Sequence, residues 1–519
     1  MVSRANHSAP PVAAKATEST LLAWLKETLY DAPPLRELRE RLRTGGEGNA
    51  VEFTRAPGSL VPVVAAALAE GDGLPVLLVS PDARAAEKAR DDLRTLLGAE
   101  AAWLLPQRDA IPYDPLHQNP RFDERAGAFE RLVSREFSVL ITFPAALVER
   151  LETLAAEARR LVRFRVGDPI DREALALVLG EAGMRREVRA EEPGQFAVRG
   201  AVVDIYPPAS ELPVRLELWG DEISELRAYD PATQRSLEHL GEVRFYAGEE
   251  GEEGREAALW ELLPPGAVLL LDDPDALRAG LERTWEEIEY QFEKRRELEL
   301  DRRTPRPDER YVRPDAVFAA LAAFPRAVHR GPAAPTAGSL DFGARAHESY
   351  LGDLRHLAAD LRHLRKQRLE TVVLCERAGQ VDRLSDLLEE QGAGGVLPRI
   401  GIGPLHEGFT WPAAGIALLT DHQIFGRHRR TGAFRRRKRR VDPAAFEQLK
   451  RGDIVVHTDF GIGRYLGLKK ITVRDAEQEC LQIEYRDGVK VYVRLDQFSK
   501  LQKYQGTDGA PPKFSRIGG

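Results

Sequence analysis

Apolar positions in the first third of the chain follow two alternating patterns. Leu22, Leu25 and Leu29 recur at helical spacing. Ser59–Glu70 (SLVPVVAAALAE) is apolar-rich and predicts a helix after Pro62. Leu74–Pro81 (LPVLLVSP) is a short apolar run stopped by Ser-Pro, the pattern of a buried strand. Ala86–Gly98 (AEKARDDLRTLLG) is amphipathic and closes on glycine, as helices do. Phe137–Leu151 repeats the strand-then-helix order. Such alternation over 19–155 predicts an open parallel α/β sheet.

From about residue 160 the period changes to two. One helix (171–183) precedes the strand-like runs REVRAE, GQFAVRGAVVDIY, PVRLELWG and EISELRAYD, which predict antiparallel hairpins and an α+β domain over 156–248. The acidic run GEEGEEGRE (248–256) reads as a boundary. The α/β pattern returns over 249–345, with Leu263–Pro274 as a strand, a long helix through Trp285, Tyr290 and Phe292, and a linker-like loop at 331–339. A small α/β domain is expected over 346–426, with TVVLCE and GIALLTD as buried strands and DRLSDLLEEQG as a helix. A basic linker (427–446) follows, carrying Arg427, Arg429, Arg430, Arg435, Arg436, Arg437, Lys438, Arg439 and Arg440.

The stretch 447–506 is different again. It holds short glycine-punctuated strands of alternating polarity and predicts a small all-β barrel of the SH3/Tudor type. In its last hairpin Leu481, Ile483 and Tyr485 alternate on one strand, and Val489, Val491 and Val493 on the other. A two-residue Asp-Gly turn would pair Tyr485 with Lys490 and put the two apolar sets on opposite faces. A three-residue loop at Arg486, Asp487 and Gly488 puts both on one face, so that register is expected, with Gly488 left-handed in a bulge. Arg464–Val473 is the expected edge strand, because Lys469 and Lys470 interrupt it. Residues 507–519 read as the start of a further linker.

Composition narrows the function. The 519 residues carry 75 Lys+Arg against 82 Asp+Glu, a net charge of −7, which argues against a general polyanion binder. The two cysteines, Cys375 and Cys480, suit a reducing cytoplasm. No apolar run approaches the roughly 18 residues of a membrane span. Residues 1–18 lack the apolar core of a secretory signal and read as a disordered lead-in. Neither HxxxH spacing nor a Cys/His cluster implies a metal. A phosphate-binding loop needs GxxxxGK[ST], yet FTRAPGSLVPVV (53–64) has no Gly-Lys-Ser/Thr and no Lys occurs from 51 to 86. LLLDDP (269–274) looks like a strand ending in metal-binding acids, but Asp273 before Pro274 is better read as a helix N-cap with Pro at the first helical position. No catalytic, cofactor or metal residue is therefore expected in this chain.

Two long blocks carry a family resemblance. HTDFGIGRYLG and ECLQIEYRDGVKVYVRLDQF resemble the RNA-polymerase-interacting domain of bacterial transcription-repair coupling factors, which has relatives among CarD-type regulators. The block from Gly194 to Ser236 is similar to that family's second domain, shared with the excision-repair protein UvrB. Residues 19–155 with 249–345 look like its split, degenerate RecA-like first domain. The resemblance implies an adaptor that binds RNA polymerase stalled at DNA lesions and recruits UvrA for nucleotide-excision repair. It implies contact with the polymerase β subunit by strand addition, and contact with double-stranded DNA mainly through ATP- and Mg-dependent motor domains that this chain does not contain. A CarD-like regulator without a repair role and a self-contained ATPase or helicase are the rival readings.

By the same resemblance the UvrA surface falls on Arg185, Phe196, Arg199 and Tyr206. The polymerase surface falls on Arg464, Leu468, Ile471 and Leu481. Phe196 and Leu481 also sit at alternating apolar positions that fit a core. Arg435, Arg436, Arg437, Lys438, Arg439 and Arg440 could hold DNA phosphates, or could simply stretch a charged linker.

Overall fold

Strands from two distant stretches of the chain share one sheet. Its order is Leu340–Asp341, Ala50–Thr54, Arg326–His329, Val268–Asp272, Val76–Val79, Val139–Thr142, Ala102–Leu104, and every neighbouring pair is parallel. The computed structural model describes residues 18–46, 48–109, 111–113, 122–181, 184–208, 210, 212–231, 233–246, 256–297, 304–332, 334–391, 397–426, 451–457, 461–473, 476–486, 490–494 and 501–503. They fall into two compact units, Met1–Thr431 and Gly432–Gly519.

Burial on both faces explains the unbroken apolar strands such as VLLV (76–79). Leu77, Val79, Leu140, Leu269 and Leu271 face a core with Phe129 and Ile288, from the helices Phe122–Ser134 and Pro274–Glu297. Val76, Leu78, Val139, Ile141 and Leu270 face the opposite way, onto the helices Pro33–Thr44, Leu60–Ala66 and Ala83–Leu97. That core continues into a second sheet, through Val372, Leu374, Phe409, Trp411 and Leu418. The second sheet runs Arg345–Ala346, Phe409–Trp411, Ile416–Thr420, Glu370–Cys375, Arg399–Ile402. A helical layer is therefore shared between two sheets. Trp411 lies flat on Phe342, 5.3 Å between ring centres, and its Nε1 donates to the Phe342 carbonyl at 2.7 Å.

Several local expectations change. The helix expected after Pro62 starts at Leu60, with Pro62 inside its first turn. First-turn N–H groups have no intrahelical acceptor, so proline costs nothing there. REVRAE contributes only its first residue, Arg186, to the strand Arg185–Arg186, and that strand pairs in parallel with Gln195–Arg199, an exception among the antiparallel hairpins. The second sheet has three strands besides the two expected, too short for a periodic signal. At the end of Val268–Asp272, Asp273 accepts from the Ala276 amide at 3.1 Å, the cap of the helix that begins at Pro274. Asp272 is held by His329 Nδ1 at 2.7 Å.

Residues 114–121, 247–255 and 427–450 lie outside the described residues, and with them Arg435, Arg436, Arg437, Lys438, Arg439 and Arg440. Among the described residues no helix is long and apolar enough to cross a membrane. Nor does any group of three His, Cys, Asp or Glu stand where it could hold a metal ion.

Candidate docking surfaces

The period-two region folds into a six-stranded sheet ordered Ser236–Leu240, Glu222–Tyr229, Val214–Trp219, Val202–Tyr206, Gln195–Arg199, Arg185–Arg186. One face is apolar. Phe196, Val203, Ile205, Leu216 and Leu226 pack on Leu175 and Leu179 of the helix Arg172–Glu181, and on Phe164 and Phe245 of a separate two-stranded ribbon. Phe196, 1% exposed, belongs to this core. Strand alternation alone directs it there, so it supports the sheet from beneath.

The other face is polar, and a buried carboxylate organises it. Asp204 has no exposed surface. Arg215, directly opposite on the next strand, reaches it through Nε at 2.7 Å and Nη2 at 3.1 Å. Arg199 closes on it from the other side. A buried carboxylate without such partners would be costly, so the two guanidiniums fix it and it fixes them. The bond to Asp204, against some loss of hydration, holds the Arg215 guanidinium above the ordinary arginine range. Arg215 also lies over the Tyr229 ring, 4.6 Å from its centre. Burial, and then the Asp204 charge, push the Tyr229 phenol upward; its hydroxyl donates to the Ala190 carbonyl at 3.0 Å. Further along, Arg227 meets Glu217 at 2.9 Å and also pairs with Glu225, which His239 approaches at 2.6 Å.

Arg199 and Tyr206 both lie on this polar face, Arg199 half-exposed and Tyr206 only 8% exposed. Arg185 stands on the edge strand, exposed, 3.6 Å from Glu192. The structure thus brings Arg199 and Tyr206 onto one face, puts Arg185 at its rim, and turns Phe196 away. Sequence reasoning missed Asp204 and Arg215. Their only signal is one acid and one base at polar positions of adjacent strands. It also missed Trp219, 84% exposed at the tip of Val214–Trp219, where an aromatic interrupts the polar alternation.

The terminal unit holds a five-stranded antiparallel sheet ordered Lys490–Arg494, Ala476–Glu484, Gly461–Val473, Ile454–His457, Leu501–Lys503. In the last hairpin Leu481 pairs with Val493, Ile483 with Val491 and Glu484 with Lys490. This is the register of the three-residue loop, which sets both apolar series on one face; Asp487 and Gly488 themselves lie outside the described residues. Val455, Tyr465, Leu481, Ile483 and Tyr485 are buried. Leu481, with no exposure, is a core position, as its alternation with Ile483 requires.

The expected edge needs correction. Arg464–Val473 belongs to the middle strand of the order, and the outer strands are Lys490–Arg494 and Leu501–Lys503. Its pairing is divided, however. Gly461–Arg464 pairs with Ile454–His457, and a register shift follows between Tyr465 and Gly467. From Gly467 to Val473 the described pairing runs to Ala476–Gln482 alone. Among the described residues the long strand outruns its short neighbour, which sequence period cannot reveal. Gly467 is left-handed (φ +116°), and a side chain there would collide with the Arg451 guanidinium. Leu468 sits opposite Leu481 and Ile471 opposite Gln478 in this stretch, while Arg464 is exposed just before it.

Comparison with known proteins agrees with both sheets. The family model for the UvrB interaction domain matches residues 162–250, and that for the CarD-like/TRCF RID domain matches residues 449–505. The chain is 27% identical to a transcription-repair-coupling factor of Myxococcus xanthus, over 86% of this chain and 44% of that protein. It is 24% identical to that of Bacillus subtilis over 89% of this chain and 46% of the relative. For Mycobacterium bovis the figures are 27%, 97% and 48%. The chain spans about half the length of the curated relatives it matches.

Proposed function

We propose that this chain, which belongs to the transcription-repair-coupling factor family, works as a coupling piece with two docking sheets and no chemistry of its own. The six-stranded sheet recruits UvrA through its polar face, with Arg199 and the edge residue Arg185 as contacts. Guanidiniums suit paired carboxylates on a partner. The terminal sheet, closing as a small barrel, binds the RNA polymerase β subunit by strand addition along Gly467–Val473, where the described pairing runs to Ala476–Gln482. Arg464, Leu468 and Ile471 lie on or beside that stretch; Leu481 acts from the core. ATP, Mg and the main grip on double-stranded DNA belong to motor domains outside the two docking sheets, and the setting is the cytoplasm.

The observation that carries this reading is the coincidence of two family matches with two separate sheets, one mostly and one wholly antiparallel, in one chain. A CarD-like regulator would need only the second. Pull-down of purified UvrA and RNA polymerase with the chain tests it. Arg199→Glu should lose UvrA and keep polymerase, and Ile471→Arg should do the reverse. Loss of neither partner, or of both together, would refute the division of labour.

A further inference from the structure

The turn after the first strand of the parallel sheet is where a phosphate-binding loop would stand. Ala50–Thr54 ends there, Gly58 is left-handed (φ +62°), and a helix opens at Leu60. In a working loop the backbone N–H groups point at phosphate oxygens and a lysine reaches the terminal phosphates. Here those places are filled from within. The segment Pro404–Gly408, just before the Phe409–Trp411 strand of the second sheet, lies across the turn.

The contacts are reciprocal. The Ser59 amide donates to the Glu407 carbonyl at 3.1 Å, and the Glu407 amide donates to Ser59 Oγ at 3.1 Å. Ser59 Oγ in turn donates to Asp92 Oδ2 at 2.6 Å. Asp92 Oδ1 accepts from the His406 amide at 2.9 Å and lies 2.8 Å from His406 Nδ1. Asp92 is 2% exposed, so those donors are its solvation. Thr95 Oγ1 donates to the Pro404 carbonyl at 2.8 Å. The cation also comes from elsewhere: Lys88, on the helix Ala83–Leu97, pairs with the Glu407 carboxylate at 2.6 Å. A Cβ on Gly58 would stand 2.9 Å from that of Glu407, and 3.2 Å from the carbonyl oxygens of Glu407 and Gly408. The space left beside the turn is a cavity of about 190 Å³ whose walls include Asp92, Asp272 and Glu407. Lys88 and His406 line it too, but Lys88 is held by Glu407 and His406 by Asp92.

We propose that Pro404–Gly408 is a built-in occupant of this turn, with the Glu407 carbonyl and carboxylate standing where a nucleotide's phosphates would bind, and that it locks the two sheets together without any ligand. In a nucleotide-driven machine that junction would open and close with the ligand. Here it is permanently closed, as a rigid bracket requires.

Hydrogen exchange read by mass spectrometry on the whole chain tests it. In Asp92→Ala, the amides of 59–64 and 404–408 should exchange about tenfold faster or more, and together. Strand Glu370–Cys375 should lose protection with them, while Val202–Tyr206 stays unchanged. Lys88→Ala, which leaves the backbone exchange between Ser59 and Glu407 intact, should give the same pattern more weakly and serves if Asp92→Ala does not fold. Faster exchange confined to one of the two segments would overturn the lock. So would a rise in the melting temperature of the wild-type chain with millimolar inorganic phosphate or Mg-ATP, because the turn would then be open to ligand.

Discussion

The six-stranded sheet around Asp204 and the five-stranded sheet around Ile483 are both mostly antiparallel, and each buries one apolar face. They differ in what orders the rest. The first holds a fully buried carboxylate between Arg199 and Arg215, so its polar face is a fixed array of charge. In the second, the buried side chains among the described residues are Val455, Tyr465, Leu481, Ile483 and Tyr485, with Gly463 and Gly467 giving close approach. A Cβ at Gly463 would meet Ile483 at 2.7 Å. Charge pairs fix where side chains stand on an accessible face, which suits recognition by side chains. Apolar packing fixes register and leaves backbone at the overhang, which suits recognition by strand addition.

The contrast can be broken at its strongest point first. Asp204→Ala strands two guanidiniums and should destabilise the six-stranded sheet by about 3 to 5 kcal/mol. Exchange of the 195–229 amides would report it, with the terminal sheet unmoved; an equal effect on both would erase the distinction. Ile483→Ala should cost the terminal sheet about 2 to 4 kcal/mol through lost burial and a cavity. Urea unfolding followed by exchange at 476–484 measures it, and a loss below 1 kcal/mol would mean the packing there is loose.

The smallest effect is the part of the alkaline pH dependence that the terminal sheet contributes, beside that of buried phenols such as Tyr229 in the six-stranded sheet. Burial pushes the Tyr485 phenol up to about 12. The folded state therefore prefers the neutral phenol. Below about pH 10, the ordinary tyrosine value, this phenol is protonated in both folded and unfolded forms and its contribution to stability is flat. Above it the unfolded phenol ionises first, so stability falls as pH rises from about 10 to about 12. Tyr485→Phe should lessen that slope by its own share, as read by circular dichroism against pH, and Tyr229 keeps its part; an unchanged slope would assign it to other groups.

Legibility in the sequence followed the same division. The hairpin register of the terminal sheet was readable because Leu481, Ile483, Val491 and Val493 must share a face. The parallel sheet was readable from runs such as Val76–Val79. The Arg199–Asp204–Arg215 array was not, because a charged residue at a polar strand position looks the same whether solvated or paired. The lock at Ser59, Asp92 and His406 was equally hidden, because His406 lies more than 300 residues from both Ser59 and Asp92.

By itself the sequence determined the alternation of strands and helices, the places where period two replaces the helical period, and the face each apolar side chain takes, because these follow from local backbone geometry. Only the tertiary structure decided which strands of 50–142 and 268–341 interleave, which half of Gly461–Val473 has its described pairing on one side, and that Glu407 fills the turn at Gly58. Those outcomes depend on contacts between segments far apart in the chain, and no local pattern encodes a distance in space.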